Sequence, residues 1–424
     1  MSGNEKQTLV PRLRFSEFCD DQPWSFQALG KLAKRSTQKN AGGDITRVLT
    51  NSAEYGVIDQ RDFFDKDIAN QGNLEGYYIV EEGDYVYNPR ISATAPVGPV
   101  SKNRIGLGVM SPLYTVFRFN NKQNDFYAHY FKSTHWHQYM RQASSTGARH
   151  DRMSIANDDF MGLPLPASKP EEQQKIADFL SSLDDLIAAE THKLDNLNTH
   201  KKGLMQQLFP REGEAAPRLR FPEFRDEGDW ESDLLGNIFD TTSGGTPSRS
   251  VKEYWDGDIP WITTSLVNFS IITRADEFIS EAGLKNSAAK VFPRGTVIIA
   301  MYGQGKTRGQ VALLAIEAAT NQACAAILPR KELDPKFLFL NLAGRYEEIR
   351  QLSNSGGQEN LSQGLIREFP FSYPSNPAEQ RMIAACLTSI DNVIDAQSRK
   401  IEALRSHKNG LVQQLFPVFD EALA

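Results

Sequence analysis

The segment Ala300-Met-Tyr-Gly-Gln-Gly-Lys-Thr307 has the glycine and lysine spacing of a Walker A phosphate loop, with alanine at its first position. That loop works only between a strand and a helix, whose N-terminal N–H groups then meet the phosphate. Residues 296–301 alternate like a strand. The following Arg308-Gly-Gln-Val-Ala-Leu-Leu314 is a poor helix start and reads as a second strand, and no hydrophobic strand ending in aspartate follows. The segment is better read as a glycine-rich hairpin tip carrying Lys306 towards a phosphate backbone. Asn88-Pro89-Arg90 has part of an amino-methyltransferase Asn-Pro-Pro-Tyr site, without its second proline, its aromatic or a glycine-rich cofactor loop. The seven histidines form no ligand set, and His135 and His137, two apart on a predicted helix, do not share a face. No nuclease-like set of carboxylates and lysine stands out.

Charge patterning says more. The net charge is -6, which alone argues against a nucleic-acid partner. Yet residues 85–124 contain no acid while holding Arg90, Lys102, Arg104, Arg118 and Lys122. Residues 282–316 are also acid-free and hold Lys285, Lys290, Arg294, Lys306 and Arg308. An acidic chain that clears its carboxylates twice, at equivalent places, is expected to present those places to a polyanion. Arginine and lysine suit guanine edges; asparagine and glutamine suit adenine. The candidate DNA-contacting residues are Arg90, Lys102 and Arg104 in the first half, and Tyr302, Gln304, Lys306 and Arg308 in the second. Two polar loops, Ser144-Ser-Thr-Gly-Ala-Arg-His-Asp-Arg152 and Asn354-Ser-Gly-Gly-Gln-Glu-Asn360, add Arg149, Arg152, Gln358 and Asn360.

The elements that position these residues occur twice. Pro11-Arg-Leu-Arg-Phe-Ser-Glu-Phe18 returns as Pro217-Arg-Leu-Arg-Phe-Pro-Glu-Phe224, and Trp24 as Trp230. Residues 170–210 return as 377–417, with 21 of 41 positions identical and no gap. Chance does not produce this, so the chain is a tandem duplication of arm, globular region and long helix. A partner docking on one half can then dock on the other.

Pro170 and Pro377 open the helical patterns, and Pro210 and Pro417 close them. Between them apolar residues step by four and three. The first seam is Ile176, Leu180, Leu183, Ile187, Leu194, Leu197, Leu204 and Leu208. The second is Ile383, Leu387, Ile390, Ile394, Ile401, Leu404, Leu411 and Leu415. Both seams carry polar breaks at matching places, Glu190 with Lys201 and Gln397 with Lys408. An antiparallel pairing follows, in a register expected to join Glu190 to Lys408 and Gln397 to Lys201. Such a pair is a ruler between the two globular regions, and paired reading heads must match the DNA repeat of about 34–36 Å.

The expected fold class is α+β: two tandem pseudo-symmetric half-units, each a globular mixed α/β region followed by a long helix, the helices forming an antiparallel coiled coil. The boundaries read as an N-terminal arm 1–19, a globular region 20–166, a helix 167–210, a repeat arm 211–225, a second globular region 226–374, a second helix 375–417 and a tail 418–424. Residues 114–119, 296–301 and 323–328 read as strands, and 125–141 and 335–352 as amphipathic helices at matching places. Composition is that of an ordinary globular protein, 40% hydrophobic and 24% charged. No apolar run is long enough to cross a membrane and no secretory pattern opens the chain. Cys19, Cys324 and Cys386 are scattered, which fits a reducing cytoplasm and excludes a cysteine-rich zinc site.

These repeats, together with Gly244-Gly-Thr-Pro-Ser248, Tyr254-Trp-Asp-Gly-Asp-Ile-Pro-Trp261, Met301-Tyr-Gly303, Thr320-Asn-Gln-Ala-Cys324 and Tyr87-Asn-Pro-Arg-Ile-Ser92, resemble Type I restriction–modification specificity subunits along essentially the whole chain. The resemblance implies that each globular region is a target-recognition domain reading one half of a split, asymmetric site in double-stranded DNA. It implies helices that set the unread spacer, two modification (methyltransferase) subunits that bind S-adenosylmethionine, and two restriction subunits that supply ATP- and Mg-dependent translocation and cleavage. The chain itself is then expected to be a non-catalytic reader without a cofactor. A fused methyltransferase or ATPase would need a complete cofactor or Walker motif. A coiled-coil scaffold binding only proteins would be favoured if the acid-free segments proved buried.

Overall fold

The computed structural model describes residues 9–63, 71–144, 151–211, 213–303, 306–352 and 360–418. The chain divides into two units, Met1–Thr191 with Arg399–Ala424, and His192–Ser398. Both boundaries fall inside the long helices Pro170–Leu208 and Pro377–Leu415, each 39 residues and so about 58 Å long. Each helix therefore runs from one unit into the other.

Every seam residue is buried or half-buried. In the first unit Ile176 and Leu180 share a core with Val412, Leu415 and Phe416. In the second, Leu208 and Phe209 share one with Ile383 and Leu387. The pairing is antiparallel, but its register differs from the expectation. Glu190 meets Lys400 at 2.5 Å and Lys408 meets Asp184 in the first unit, while Lys201 meets Asp391 at 2.5 Å in the second. The expected Glu190–Lys408 and Gln397–Lys201 pairs are replaced by partners one to two helical turns away. The cause is the packing at the helix ends: those apolar cores fix the register, whereas the half-buried mid-seam side chains take whichever opposite charge lies across.

The repeated arms explain the other half of the duplication. Arg14 grips Glu172 with two hydrogen bonds, Nε to Oε1 at 2.7 Å and Nη2 to Oε2 at 2.9 Å. Arg220 grips Glu379 the same way, with both bonds at 2.8 Å. Both glutamates are fully buried in the first turn of a long helix. The remaining guanidinium donors reach backbone carbonyls of Asp21 and Gln22, or of Glu227 and Gly228. The glutamate hydrogen bonds raise both arginine pKa values. Each arm also covers a helix end: Leu13 N–H donates to Gln414 O and Leu219 N–H to Gln207 O, both at 2.9 Å. These bonds satisfy terminal carbonyls that a helix leaves unmade.

The heads begin and end alike. Ser25–Ala28 pairs antiparallel with Pro164–Ala167, and Glu231–Leu234 with Pro370–Tyr373. Between these ribbons the first head holds a four-stranded antiparallel sheet, in spatial order Ala33–Arg35, Thr115–Phe119, Tyr85–Tyr87 and Val100–Lys102. The second holds a five-stranded sheet, in spatial order Thr241–Ser243, Cys324–Ile327, Val297–Ala300, Val311–Leu314 and Ser270–Ile272. The last strand runs parallel to its neighbour. Each predicted head helix is broken in two. Asp125–Tyr130 and His137–Ala143 are separated by tight turns at Lys132 and Ser133, and Pro335–Gly344 ends at its glycine before Tyr346–Gln351.

Two outcomes follow. A chain ending at Ser398 loses Val412, Leu415 and Phe416 from the first core, each a large-to-nothing change of about 2–5 kcal/mol. Calorimetry should show the first unit's transition lost and the second unit's retained. His129 is buried against Ser181 Oγ at 3.0 Å, and burial, followed by the charge of Lys408, lowers its pKa to about 4. The unfolded chain, with histidine near 6.5, then binds more protons than the folded one as pH falls from about 6.5 to 4. Stability of the first unit is full above that window and declines through it, by up to roughly 3 kcal/mol from this group. Denaturant melts at stepped pH should show that decline, and His129→Gln should reduce it by this group's share, leaving the share of His135 and His137, whose burial also lowers their pKa values.

Candidate nucleic-acid interface

The acid-free stretches prove to have two causes. Their strands are core: Tyr85, Val86 and Tyr87 are at most 1% exposed, as are Val297, Ile298, Ile299 and Ala300. Burial alone removes carboxylates there. The exposed loops between the strands are a separate matter, and they do not gather all the predicted cations together. Lys102 and Arg104 converge on Asp125, at 3.0 and 2.5 Å. Burial alone would raise the Asp125 carboxyl; hydrogen bonds and charge from the two cations outweigh it and hold the pKa below the ordinary value. In the strand register Lys102 lies opposite Tyr85, whereas the Arg90 loop leaves from the other end, beyond Tyr87.

That second loop meets a distant one. Ile91 N–H donates to Asp151 O at 3.0 Å and Met153 N–H to Pro89 O at 2.9 Å, so Arg90 and Arg152 face each other across a β-bridge. Asp151 lies 3.9 Å from Arg90 and 3.8 Å from Arg152. Two asparagines position the loop. The buried Asn51 donates to Val86 O and Pro99 O, at 2.7 and 3.1 Å, tying one strand to the residue that leads into the next. Asn88 donates to Asn51 O at 2.9 Å and accepts the Arg90 N–H at 3.0 Å. Both arginines then line a cleft with Thr50, Ser92, Thr94 and Tyr114. Its hydroxyls, amides and guanidiniums suit base edges and phosphates.

The second head repeats this junction with other residues. Strands Val297–Ala300 and Val311–Leu314 form a hairpin, and Leu361 N–H donates to Met301 O at 3.1 Å. Tyr302 and Asn360, each exposed, are therefore neighbours of one junction, as Arg90 and Arg152 are of the other. The segment after Lys306 is a strand rather than a helix, so it lacks the helix N-terminus that a Walker A loop requires. Lys306 is exposed, and its carbonyl accepts a hydrogen bond from the Tyr346 hydroxyl. Arg308 is half-buried, and Gly309, at a left-handed φ of 87°, packs so close to Arg350 that a Cβ would stand 2.9 Å from its Cγ. Arg149, Gln304 and Gln358 lie outside the described residues.

Asn51, Asn88, Tyr346 and Arg350 are the positioning residues that sequence reasoning missed. Asn88 was visible only as a fragment of an unrelated motif, and nothing local marks the others. The glycines of Gly244-Gly-Thr-Pro-Ser248 are scaffold: a Cβ on Gly244 would lie 2.1 Å from Thr320 O, and Gly245 O accepts the Trp261 indole N–H at 3.0 Å. Among the described residues no cluster of His, Cys, Asp and Glu could hold a metal, and no helix is long and apolar enough to cross a membrane.

Among relatives, the MjaIX Type I restriction enzyme specificity subunit of Methanocaldococcus jannaschii is 29% identical over 197 residues, 45% of each chain. The EcoR124I/EcoR124II specificity subunit of Escherichia coli is 26% identical over 252 residues, 58% of this chain and 60% of that one. The matches thus span about half the length of these two relatives. Among solved structures, a chain from work on complex assembly and conformational transition of the type I R-M system superposes with a TM-score of 0.60 at 15% identity, covering 93% of this chain and 97% of that one. The Type I restriction–modification S subunit from M. genitalium does so with 0.55 at 16%, covering 97% and 100%. At those identities the likeness is one of fold. The sequence itself matches the Type I restriction modification DNA specificity domain twice, over residues 29–199 and 227–406, and by that match over most of its length the chain belongs to this family.

Proposed function

We propose that this chain is the DNA-reading subunit of a Type I restriction–modification complex, each head reading one half of a bipartite, asymmetric site. The observation that carries the reading is the repeated junction: at equivalent places in two heads of different sequence, two segments meet through backbone hydrogen bonds beside polar or cationic residues, Arg90 opposite Arg152, and Tyr302 and Asn360 each one residue from the bond. Equivalent scaffolds with different surface residues are what two readers of different half-sites require. The long helices set the unread DNA spacer, and their duplicated faces dock two modification subunits, with two restriction subunits in the complete assembly. S-adenosylmethionine, ATP and Mg belong to those partners, and the work is cytoplasmic. The acidic net charge fits a subunit whose partners share the DNA phosphates.

Methylation-site mapping in cells carrying the modification subunit, with and without this chain, tests the reading. A split adenine-methylated motif should be present with the chain and vanish without it; a motif that persists, or one that is continuous, rejects it. Arg152→Ala should relax one half of that motif, by about 1–3 kcal/mol of discrimination, and leave the other half intact.

A further inference from the structure

The second head's cations do not share one environment. Tyr302 and Lys306 are exposed on the hairpin tip. Arg308 stands lower, one residue before the bond from Gly309 N–H to Ala300 O that closes the hairpin at 2.8 Å. Beneath it are strands Val297–Ala300 and Val311–Leu314, every residue of which is buried. Helix Tyr346–Gln351 braces the hairpin from the side, through the Tyr346 hydroxyl on Lys306 O and the contact between Gly309 and Arg350. Arg350 in turn lies over the Tyr346 ring at 5.4 Å.

In this rigid setting the Arg308 Nε is out of contact with solvent and, among the described residues, has no hydrogen-bond acceptor. No carboxylate among the described residues forms an ion pair with Arg308, and the acid-free sequence supplies none between 282 and 316. Arg345, another half-buried arginine, holds Glu348 and the Pro370 carbonyl, whereas Arg35 Nε shares the condition of Arg308 Nε. The buried Nε costs folding free energy and is closed to an outside partner, but the Nη nitrogens of this half-buried side chain make no hydrogen bond or ion pair among the described residues and are left for a partner outside the chain. A planar guanidinium fixed at its Nε end is suited to an oxyanion, which it can take in bidentate fashion. Its place at the base of the hairpin suits a backbone phosphate rather than a base edge, which the exposed tip would reach first.

We propose that Arg308 is the phosphate clamp of the second head: it holds one DNA backbone phosphate and so sets the height at which Tyr302, Lys306 and Asn360 meet the bases. This rests on the reading of the chain as a DNA-recognition subunit and divides the labour within that site.

The test uses the full chain assembled with its modification subunit. Binding to a duplex carrying the mapped motif, and to one lacking it, is titrated across salt for the wild type, Arg308→Met and Arg308→Lys. Arg308→Met should weaken binding to both duplexes in parallel, about tenfold at low salt, and reduce the slope of log K against log salt by about 0.9, the value for one phosphate. The methylated motif should stay the same, and Arg308→Lys should restore most of the affinity. The melting temperature of Arg308→Met should equal or exceed the wild type, because the buried donor is removed. A loss confined to the cognate duplex, or a changed motif, would make Arg308 a base reader and overturn the proposal. So would unchanged affinity, or a lowered melting temperature, which would mark Arg308 as structural. Failure of the wild-type assembly to bind either duplex would instead reject the DNA-reading function itself.

Discussion

A carboxylate buried in the first turn of a helix must be met by a fixed cation, and this chain meets that demand twice. Glu172 and Glu379 are removed from water, and Arg14 and Arg220 arrive from arms that lie far away in sequence. An ion pair of this kind contributes little net stability compared with an apolar replacement, but leaving one partner alone is severe, about 3–5 kcal/mol. The pairing therefore acts as a requirement on geometry. Helix start, arm and head take up their places together, because each Arg also reaches the carbonyls just ahead of the buried tryptophan that opens its head.

The same arms close the far ends of the helices, and here the duplication shows its logic. Leu219 caps the helix immediately before it in the chain, through Gln207. Leu13 makes the equivalent bond to Gln414, at the opposite end of the sequence. The last part of the second helix and the residue after it thus complete the first head, supplying Val412, Leu415 and Phe416 to its core. On such a frame the heads are free to differ. One builds a four-stranded antiparallel sheet and a cleft around Arg90 and Arg152, the other a five-stranded mixed sheet with a projecting hairpin. Variation at the junction loops over a constant frame is a physical route by which a reader can change its target without refolding.

Much of this frame was legible in the sequence because it is periodic or repeated. The helices, their seams and their proline limits follow from spacing, and the arms from duplication. The register was not legible, because a four-three repeat looks the same after a shift of seven residues and the half-buried Glu190 and Lys408 accept more than one partner. The breaks at Ser133 and Gly344 were hidden because the apolar pattern continues across them in the core. Absence of acids was an ambiguous signal, since a buried strand and a surface facing phosphates both exclude carboxylates. Arg104 and Arg90 look alike in sequence, and only the fold separates the one held by Asp125 from the one set beside Arg152. Asn51 escaped notice because the carbonyls it ties lie 35 and 48 residues away.

On the proposed reading, loops that contact DNA need a frame that holds them still, and the buried Arg–Glu clamps are where arm, helix and head are fastened. A double-mutant cycle on Arg220 and Glu379, read by denaturant unfolding of the full chain, measures this directly. Glu379→Gln alone should cost about 3–5 kcal/mol, and Arg220→Met combined with Glu379→Leu should recover most of that loss. Single substitutions that each cost under about 0.5 kcal/mol and simply add would contradict it.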